Sequence, residues 1–283
     1  MSRLEVLDWA SARANPSNED IFGSCGRWAW IADGASGLAG TPYTPGPSDA
    51  AWLVEQIDAA IASMPAELSA RGWAKAMETG VANAFLPYRK AGAETPLRYP
   101  AAALAAIRLN GSSIEALNIG DCAVVLRNGF GAAERLGTSR VERFDRCVES
   151  ILRRSQAKGG SYEDAWPAMQ ARIARNRAKA NRAGGYWVVR PDSRWARHTQ
   201  VRRRKVGPGS RILLATDGFM RLTDAYRRYP TPDSLLEACR AGLVPLLAEL
   251  RAIEADDSGC ARYPRIKPSD DATALLLEVS HGR

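Results

Sequence analysis

Four acidic points interrupt an otherwise apolar patterning: Glu19-Asp20 ahead of one apolar run, Asp33-Gly34 at the end of the next, Asp217-Gly218 at the end of another, and Asp270-Asp271 ahead of the last. If the fold gathers these positions, their mutual repulsion must be offset. Clustered carboxylates either take up protons or bind a hard cation, and an oxygen-only donor set suits Mg²⁺, Mn²⁺ or Ca²⁺ rather than zinc. Gly34 and Gly218 suit such a site, because a residue without Cβ lets its own carbonyl or the adjoining carboxylate approach an ion. The chain has only two histidines, His198 and His281. Their scarcity counts against a Ser-His-Asp hydrolase and a histidine-rich zinc enzyme. Each Asp-Gly pair alone is also an ordinary turn sequence.

Positioning these residues falls to elements that periodicity marks out. Alternation predicts strands over 3–9 and 27–32, the second stopping at Asp33-Gly34. Ser48 caps a helix running to about 64, and a second helix runs from Pro65 or Ala66 toward 88. The stripes Trp52, Ile57, Ile61 and Trp73, Met77, Val81 fall at helical spacing and read as core. Apolar runs at 103–109, 113–119 and 123–127, separated by Asn110-Gly111 and Gly120-Asp121, predict an antiparallel meander. Residues 139–182 read as two polar helices split near Gly159-Gly160, followed by a strand at 186–189. A buried strand over 211–216 ends at Asp217-Gly218, helices follow at 234–241 and 244–254, and a last strand spans 272–279. Without a repeat or low-complexity linker, residues 1–283 are expected to form one domain.

Composition limits the choices. The 283 residues are 46% apolar and 25% charged, ordinary for a globular chain, with a formal charge of +8 that favours phosphorylated or acidic partners. The opening segment lacks the layout of a signal peptide, and no run approaches the ~20 apolar residues of a membrane span. Five cysteines without C-x-x-C spacing argue against a disulfide framework and a zinc knuckle. A cytoplasmic protein that does not engage membranes is expected.

The acidic points sit in a recognisable succession: N-E-D at 18–20, A-D-G-A-S-G at 32–37, N-I-G-D at 118–121, L-L-A-T-D-G-F at 213–219 and S-D-D-A-T at 269–273. This order resembles the PPM-type (protein phosphatase 2C-like) metal-dependent serine/threonine phosphatases, whose members carry N-E-D, D-G-x-x-G, G-D-S, S/T-D-G and D-N-x-T. The resemblance spans 18–279 and marks a divergent bacterial-type member. It implies an α+β fold, a four-layer αββα sandwich of two antiparallel sheets flanked by helices. It also implies two Mn²⁺ or Mg²⁺ ions, with a third, weaker one. Carried over by position, Asp33 bridges the two metals, Asp217 and Asp270 complete the first, and Gly34 offers its carbonyl to the second, whose waters Asp20 holds with Glu19 nearby. A metal-bridging hydroxide then attacks phosphorus in line, which gives Asp33 and Asp217 their catalytic part. Asp121 is either a ligand of the third metal or a hairpin-turn residue, and Asp271 either a spare ligand or a turn carboxylate.

Departures from the family concern the substrate end. The arginine that precedes N-E-D in many members is replaced by Asn15, leaving Arg13 as the candidate phosphate contact; Ala35 stands where eukaryotic members have His. Pro100-Ala101-Ala102 replaces Gly-Thr-Thr, and Cys122 replaces the serine of G-D-S, reading as a small buried residue. Residues 139–205 occupy the place of the family's flap, and 172–205 carries twelve Arg and Lys residues, from Arg172 to Lys205. That segment either recruits a phosphorylated or acidic partner or is a solvated helix face and basic edge strand. The expected function is a protein serine/threonine phosphatase acting on a phosphorylated protein. The alternatives are a catalytically weak regulatory or binding module of the same fold, and a nucleic-acid-binding protein using the arginine-rich segment. Nucleic acid is disfavoured, since Tyr186, Trp187 and Trp195 fall into no known base-stacking pattern.

Overall fold

The computed structural model describes residues 2–14, 16–38, 42–65, 67–89, 97–129 and 131–281. Asn15 and Ala66, which entered the sequence reading, lie outside these. In chain order the strands and helices are β1 (Ser2–Ala12), β2 (Asp20–Cys25), β3 (Trp28–Ala35), α1 (Asp49–Ala62), α2 (Ala70–Phe85), β4 (Ala101–Asn110), β5 (Ser113–Ile119), β6 (Ala123–Arg127) and β7 (Glu134–Leu136). They continue with α3 (Val141–Gln156), α4 (Tyr162–Arg177), β8 (Gln200–Lys205), β9 (Arg211–Ala215), α5 (Asp217–Asp224), α6 (Pro232–Ala238), α7 (Leu243–Asp256) and β10 (Ala272–His281). Two five-stranded antiparallel sheets result, ordered β1-β10-β9-β6-β7 and β2-β3-β4-β5-β8.

Side-chain alternation explains the layering. Along β3, Ala29 and Ile31 face a core that Ile107 and Ile114 share with Val124, Ile212, Leu214, Leu275 and Leu277 of the other sheet. Trp28, Trp30 and Ala32 point the opposite way, onto Leu53 and Ile57 of α1 and Trp73 and Met77 of α2. The outer face of the other sheet carries Leu213, Ala215, Ala274 and Leu276 under Phe219, Leu235, Leu247 and Leu250 of α5 to α7. The central strands therefore have apolar faces on both sides, and the product is the expected αββα sandwich. Helix starts follow their caps: the hydroxyl of Ser48 accepts from the backbone N–H of Ala51, and that of Ser69 from Gly72.

Four sequence expectations are corrected. The meander breaks after β5: β4 and β5 pair as a hairpin, but β6 joins the other sheet, between β9 and β7. Gly120, at φ +85°, makes this change of sheet, and a Cβ there would lie 2.5 Å from that of Ala103. The predicted strand at 186–189 is reduced to isolated bridges, Ala180 to Tyr186 and Ala102 to Val189. Asp217-Gly218 is not a free turn but the first turn of α5, whose N-cap is Thr216. The helix predicted for 234–241 starts at Pro232, with Thr231 as cap, and tightens into a 3-10 turn at Cys239–Ala241.

The hairpin of α3 and α4 stands apart from these layers. Val148 and Leu152 meet Ala165 and Met169 in a small cluster completed by Cys260. The Gln156 side-chain amide donates to the Cys260 carbonyl at 2.9 Å and the Tyr162 hydroxyl to the Ile266 carbonyl at 2.7 Å, fastening the hairpin to the loop before β10.

Candidate metal centre

The acidic points converge at one end of the sandwich. Asp20 opens β2 directly opposite Asp33 in the β2–β3 register, and Gly34 closes the arrangement by donating its N–H to the Glu19 carbonyl at 2.9 Å. A Cβ on Gly34 would come within 2.8 Å of that carbonyl oxygen, so only glycine fits this turn without displacement. From the other sheet, Thr216, just after β9, exchanges hydrogen bonds with the start of β10: its N–H donates to the Thr273 carbonyl, and its side-chain hydroxyl accepts from the Thr273 N–H, both at 3.0 Å. The same hydroxyl donates to Asp20 Oδ2 at 3.0 Å, joining the two sheets through the site. Asp217 follows as the first residue of α5, and Gly218 lies so close to β10 that a Cβ would stand 2.0 Å from the Asp271 carbonyl oxygen.

Asp33, Gly34, Asp121, Asp217 and Asp270 line one cavity of about 310 Å³, roofed by α3 and α4 through Val141, Phe144 and Trp166. Asp121 reaches it from the crossing between the sheets, not from a hairpin turn. Asp20 lies beside Asp33 across the β2–β3 pair, buried, with Oδ2 bound to Thr216 and Oδ1 lacking a hydrogen-bond partner among the described residues. Glu19 points elsewhere, accepting the Ser36 hydroxyl at 2.8 Å. Asp271 is a clamp: its carboxylate oxygens accept the backbone N–H groups of Ala14 at 2.7 Å and Glu19 at 2.8 Å, fixing the loop ahead of β2. Arg13 is exposed, gives its guanidinium to the Pro16 carbonyl at 3.1 Å and does not line the cavity.

The site also holds residues that the sequence motifs did not flag. Asp145 of α3 lines the cavity, with its pKa pushed well up, first by burial and then by Asp121 and Asp217. No local signal in a polar helix announces such a residue; its place depends on how α3 docks. Lys267 and Arg221 are the second surprise. The Lys267 ammonium donates to Asp270 Oδ1 at 2.7 Å and Arg221 to Asp270 Oδ2 at 3.1 Å, while Arg221 also pairs with buried Glu254 at 2.9 Å. Two basic side chains thus already engage a carboxylate expected to hold metal, and no three acidic, His or Cys side chains among the described residues stand gathered at ligating spacing.

Electrostatics nevertheless favour a cation here. Burial, opposed by the hydroxyls of Thr273 and Thr216 and reinforced by Asp271 and Asp217, pushes Asp20 up to about 8. Burial and then Asp20, Asp217, Asp270 and Asp121 hold Asp33 well above the carboxylate range, and burial with Asp217 takes Asp121 to about 7. Carboxylates in this condition gain from a hard cation what they lack from solvent. The unpartnered Asp20 Oδ1 and the all-oxygen donor set fit Mg²⁺ or Mn²⁺. Cys122 beside Asp121 is buried, its thiol pushed up by burial and by Asp33, which leaves it unreactive.

A sequence model of the protein phosphatase 2C family matches residues 11–253. The fold is similar to that of the serine/threonine phosphatase PstP of Mycobacterium tuberculosis, with a TM-score of 0.58 at 18% identity, covering 99% of this chain and 100% of that one. The PstP catalytic domain in complex with two manganese ions superposes with a TM-score of 0.56, again at 18% identity and covering 99% and 100% of the two chains. PppA of Pseudomonas aeruginosa, a key regulatory component of its T6SS, reaches 0.54 at 18% identity with the same coverage of both chains. No curated protein matches the chain in sequence.

Proposed function

The chain belongs to the protein phosphatase 2C family, and from that premise we propose that it is a metal-dependent phosphomonoesterase whose substrate is phosphoserine or phosphothreonine in a protein. The observation that carries this reading is the convergence of Asp33, Asp121, Asp217 and Asp270, from both sheets and the crossing between them, on one covered cavity, with Asp20 the cross-strand partner of Asp33. Asp33, Asp217, Asp270, the Gly34 carbonyl and Asp20 would hold two Mn²⁺ or Mg²⁺ ions, and Asp121 with Asp145 a third. Bound there, the ions supply a hydrolytic nucleophile from water at near-neutral pH and neutralise phosphoryl charge.

The chain's own residues do the rest. The Thr216 hydroxyl fixes the orientation of Asp20, and Gly34 and Gly218 let β3 and α5 close on their neighbours. The roof of Val141, Phe144 and Trp166 limits bulk water, so charges inside act through a lower dielectric. No histidine lines the cavity among the described residues; His198 stacks on Trp187 instead. The proton for the leaving oxygen is assigned to water or to a carboxylic acid of the cavity such as Asp145, whose pKa burial raises.

The reading is tested with p-nitrophenyl phosphate and a phosphothreonine peptide, each with Mn²⁺, with Mg²⁺ and with EDTA, beside Asp217→Asn. Turnover that needs metal and is lost in the variant supports it; turnover that survives EDTA or the substitution overturns it.

The engagement of Asp270 by Lys267 and Arg221 favours a second reading, a catalytically weak member that binds metal poorly and serves as a binding module. Tight Mn²⁺ binding with substantial peptide turnover would remove it. For the basic segment, the proposed role is to receive acidic residues near a phosphosite through the exposed Arg175, Arg182, Arg194 and Arg202. Some of its charge is spent within the fold: Arg190 pairs with Asp192 at 2.8 Å, Arg204 with Glu134 at 2.7 Å, and Arg203 with Glu115.

A further inference from the structure

Among the basic side chains of the cavity wall, three are placed to meet an anion, and two are already committed. Lys267 is bound to Asp270, and Arg190 forms a fork on Asp192, with Nε at 2.9 Å from Oδ1 and Nη2 at 2.8 Å from Oδ2. Arg177, the last residue of α4, differs. It lines the cavity together with Asp33, Gly34 and Asp217, and Nη1 donates to the Ser36 carbonyl, two residues beyond Gly34. No carboxylate among the described residues forms an ion pair with it.

A guanidinium has five N–H donors in a planar fork, and among the described residues only one of them has a partner, the Ser36 carbonyl. Arg177 is half-buried, and burial lowers its pKa against the opposing pull of Tyr186 and Glu19, neither of which is within ion-pair or hydrogen-bond distance of the guanidinium. The carboxylates of the cavity do not take up its donors. An anion with several oxygens, entering between Arg177 and the acidic floor once cations have neutralised that floor, would complete both. A phosphoryl group has that charge and geometry.

We infer that Arg177 is the residue that grips the phosphoryl group of the substrate, presented by the α3/α4 hairpin from the roof of the cavity instead of from the loop ahead of β2. The inference rests on the phosphatase reading and names the contact that reading lacks, since Arg13 is turned onto Pro16 in its own loop. It also gives the hairpin a part in binding: the helix whose end carries Arg177 is fastened to the sandwich near the site through the Ser36 carbonyl and, at its start, through the Tyr162 hydroxyl.

The test compares the full-length chain with Arg177→Ala and Arg177→Lys, all loaded with Mn²⁺. Loss of a charge-assisted fork should raise KM for p-nitrophenyl phosphate and the inhibition constant of inorganic phosphate together by about 10- to 100-fold in the alanine variant, with Lys recovering part. Mn²⁺ affinity by calorimetry should be unchanged. The second measurement is the rise in unfolding midpoint that inorganic phosphate gives to each Mn²⁺-loaded protein; being a difference within one protein, it is independent of any stability lost with the Ser36 contact. A rise in the wild type that vanishes in Arg177→Ala supports the inference even if turnover is undetectable. An equal rise in both, or an unchanged inhibition constant in an active variant, overturns it and leaves the phosphatase reading standing. No rise in the metal-loaded wild type also overturns it.

Discussion

Without metal, this protein should become less stable as pH rises through the neutral range, the reverse of the usual carboxylate behaviour. Asp20 is pushed up to about 8 in the native state, chiefly by burial, whereas an unfolded chain returns it to about 3.9. Between those values the folded protein holds a proton that the unfolded chain has released. Stability therefore falls with rising pH across that window, is unaffected by this group below it, and levels off above it. One such proton is worth about 1.4 kcal/mol per pH unit, or about 4 kcal/mol between pH 5 and pH 8. Asp33, Asp121 and Asp145 are raised as well and act in the same sense. Glu78, Glu134, Glu249 and Asp257 are lowered, and their contributions fade only as pH falls below the ordinary carboxylate range. His198, depressed by burial and Arg197, acts weakly in the opposite direction near neutrality. Urea unfolding in EDTA at pH 5, 6, 7 and 8, for wild type and Asp20→Asn, measures the slope; Asn keeps an acceptor for Thr216 but has no proton to lose. Mn²⁺ should reverse the trend, because it binds the ionised carboxylates and displaces their protons. A flat or rising profile in EDTA, or an identical slope in the variant, would refute the assignment of buried, protonated carboxylates to this site.

The remaining expectations are more local. Gly218→Ala must part α5 from β10 by about 1 Å, which should cost about 1–3 kcal/mol in stability and about 100-fold in turnover, read from denaturant midpoints and Mn²⁺-dependent kinetics; activity within threefold of wild type would show that the close approach is unimportant. Asp271→Ala removes the acceptor of two backbone N–H groups and should lower stability by about 2–3 kcal/mol, equally with and without Mn²⁺; a loss confined to the metal-loaded protein would make Asp271 a ligand instead. Lys267→Gln frees Asp270 from an ammonium and should tighten Mn²⁺ binding by about fivefold, the scale of a half-exposed ion pair, as measured by calorimetry; weaker binding would mean that Lys267 helps to shape the site.

What was legible in the sequence was whatever local chemistry determines. Ser48 at the start of α1, the stripes of Trp52 and Trp73, and the hairpin at Asn110-Gly111 depend on neighbours a few residues away, and each is found where the pattern puts it. The switch of sheet at Gly120 depends on Ala103 and on β9, ninety residues downstream, so an apolar run before and after it reads the same as a meander. The start of α5 at Asp217 was hidden because Asp-Gly satisfies turn statistics as well as a helix N-terminus, and closeness to Asp271 decided the matter. At the site, the motifs led to Asp33, Asp121, Asp217 and Asp270 on one cavity wall. Asp145, Lys267 and Arg177 carry no motif, since each owes its position to the packing of the hairpin or of the loop before β10.

That hairpin has its own cluster of Val148, Leu152, Ala165, Met169 and Cys260, separate from the three sandwich layers of apolar contact. An element whose small core is shared only with the loop before β10 can open or be rebuilt while the sandwich stays folded. Mutations that recast the roof can therefore accumulate without disturbing Asp33, Asp217 and Asp270 beneath it, so descent can alter what the cavity admits while leaving its acidic floor intact. A roof transplanted from another chain of this fold would be the corresponding engineering experiment, its seams falling near Ser139 and Gln200, where α3 begins and β8 resumes the sheet.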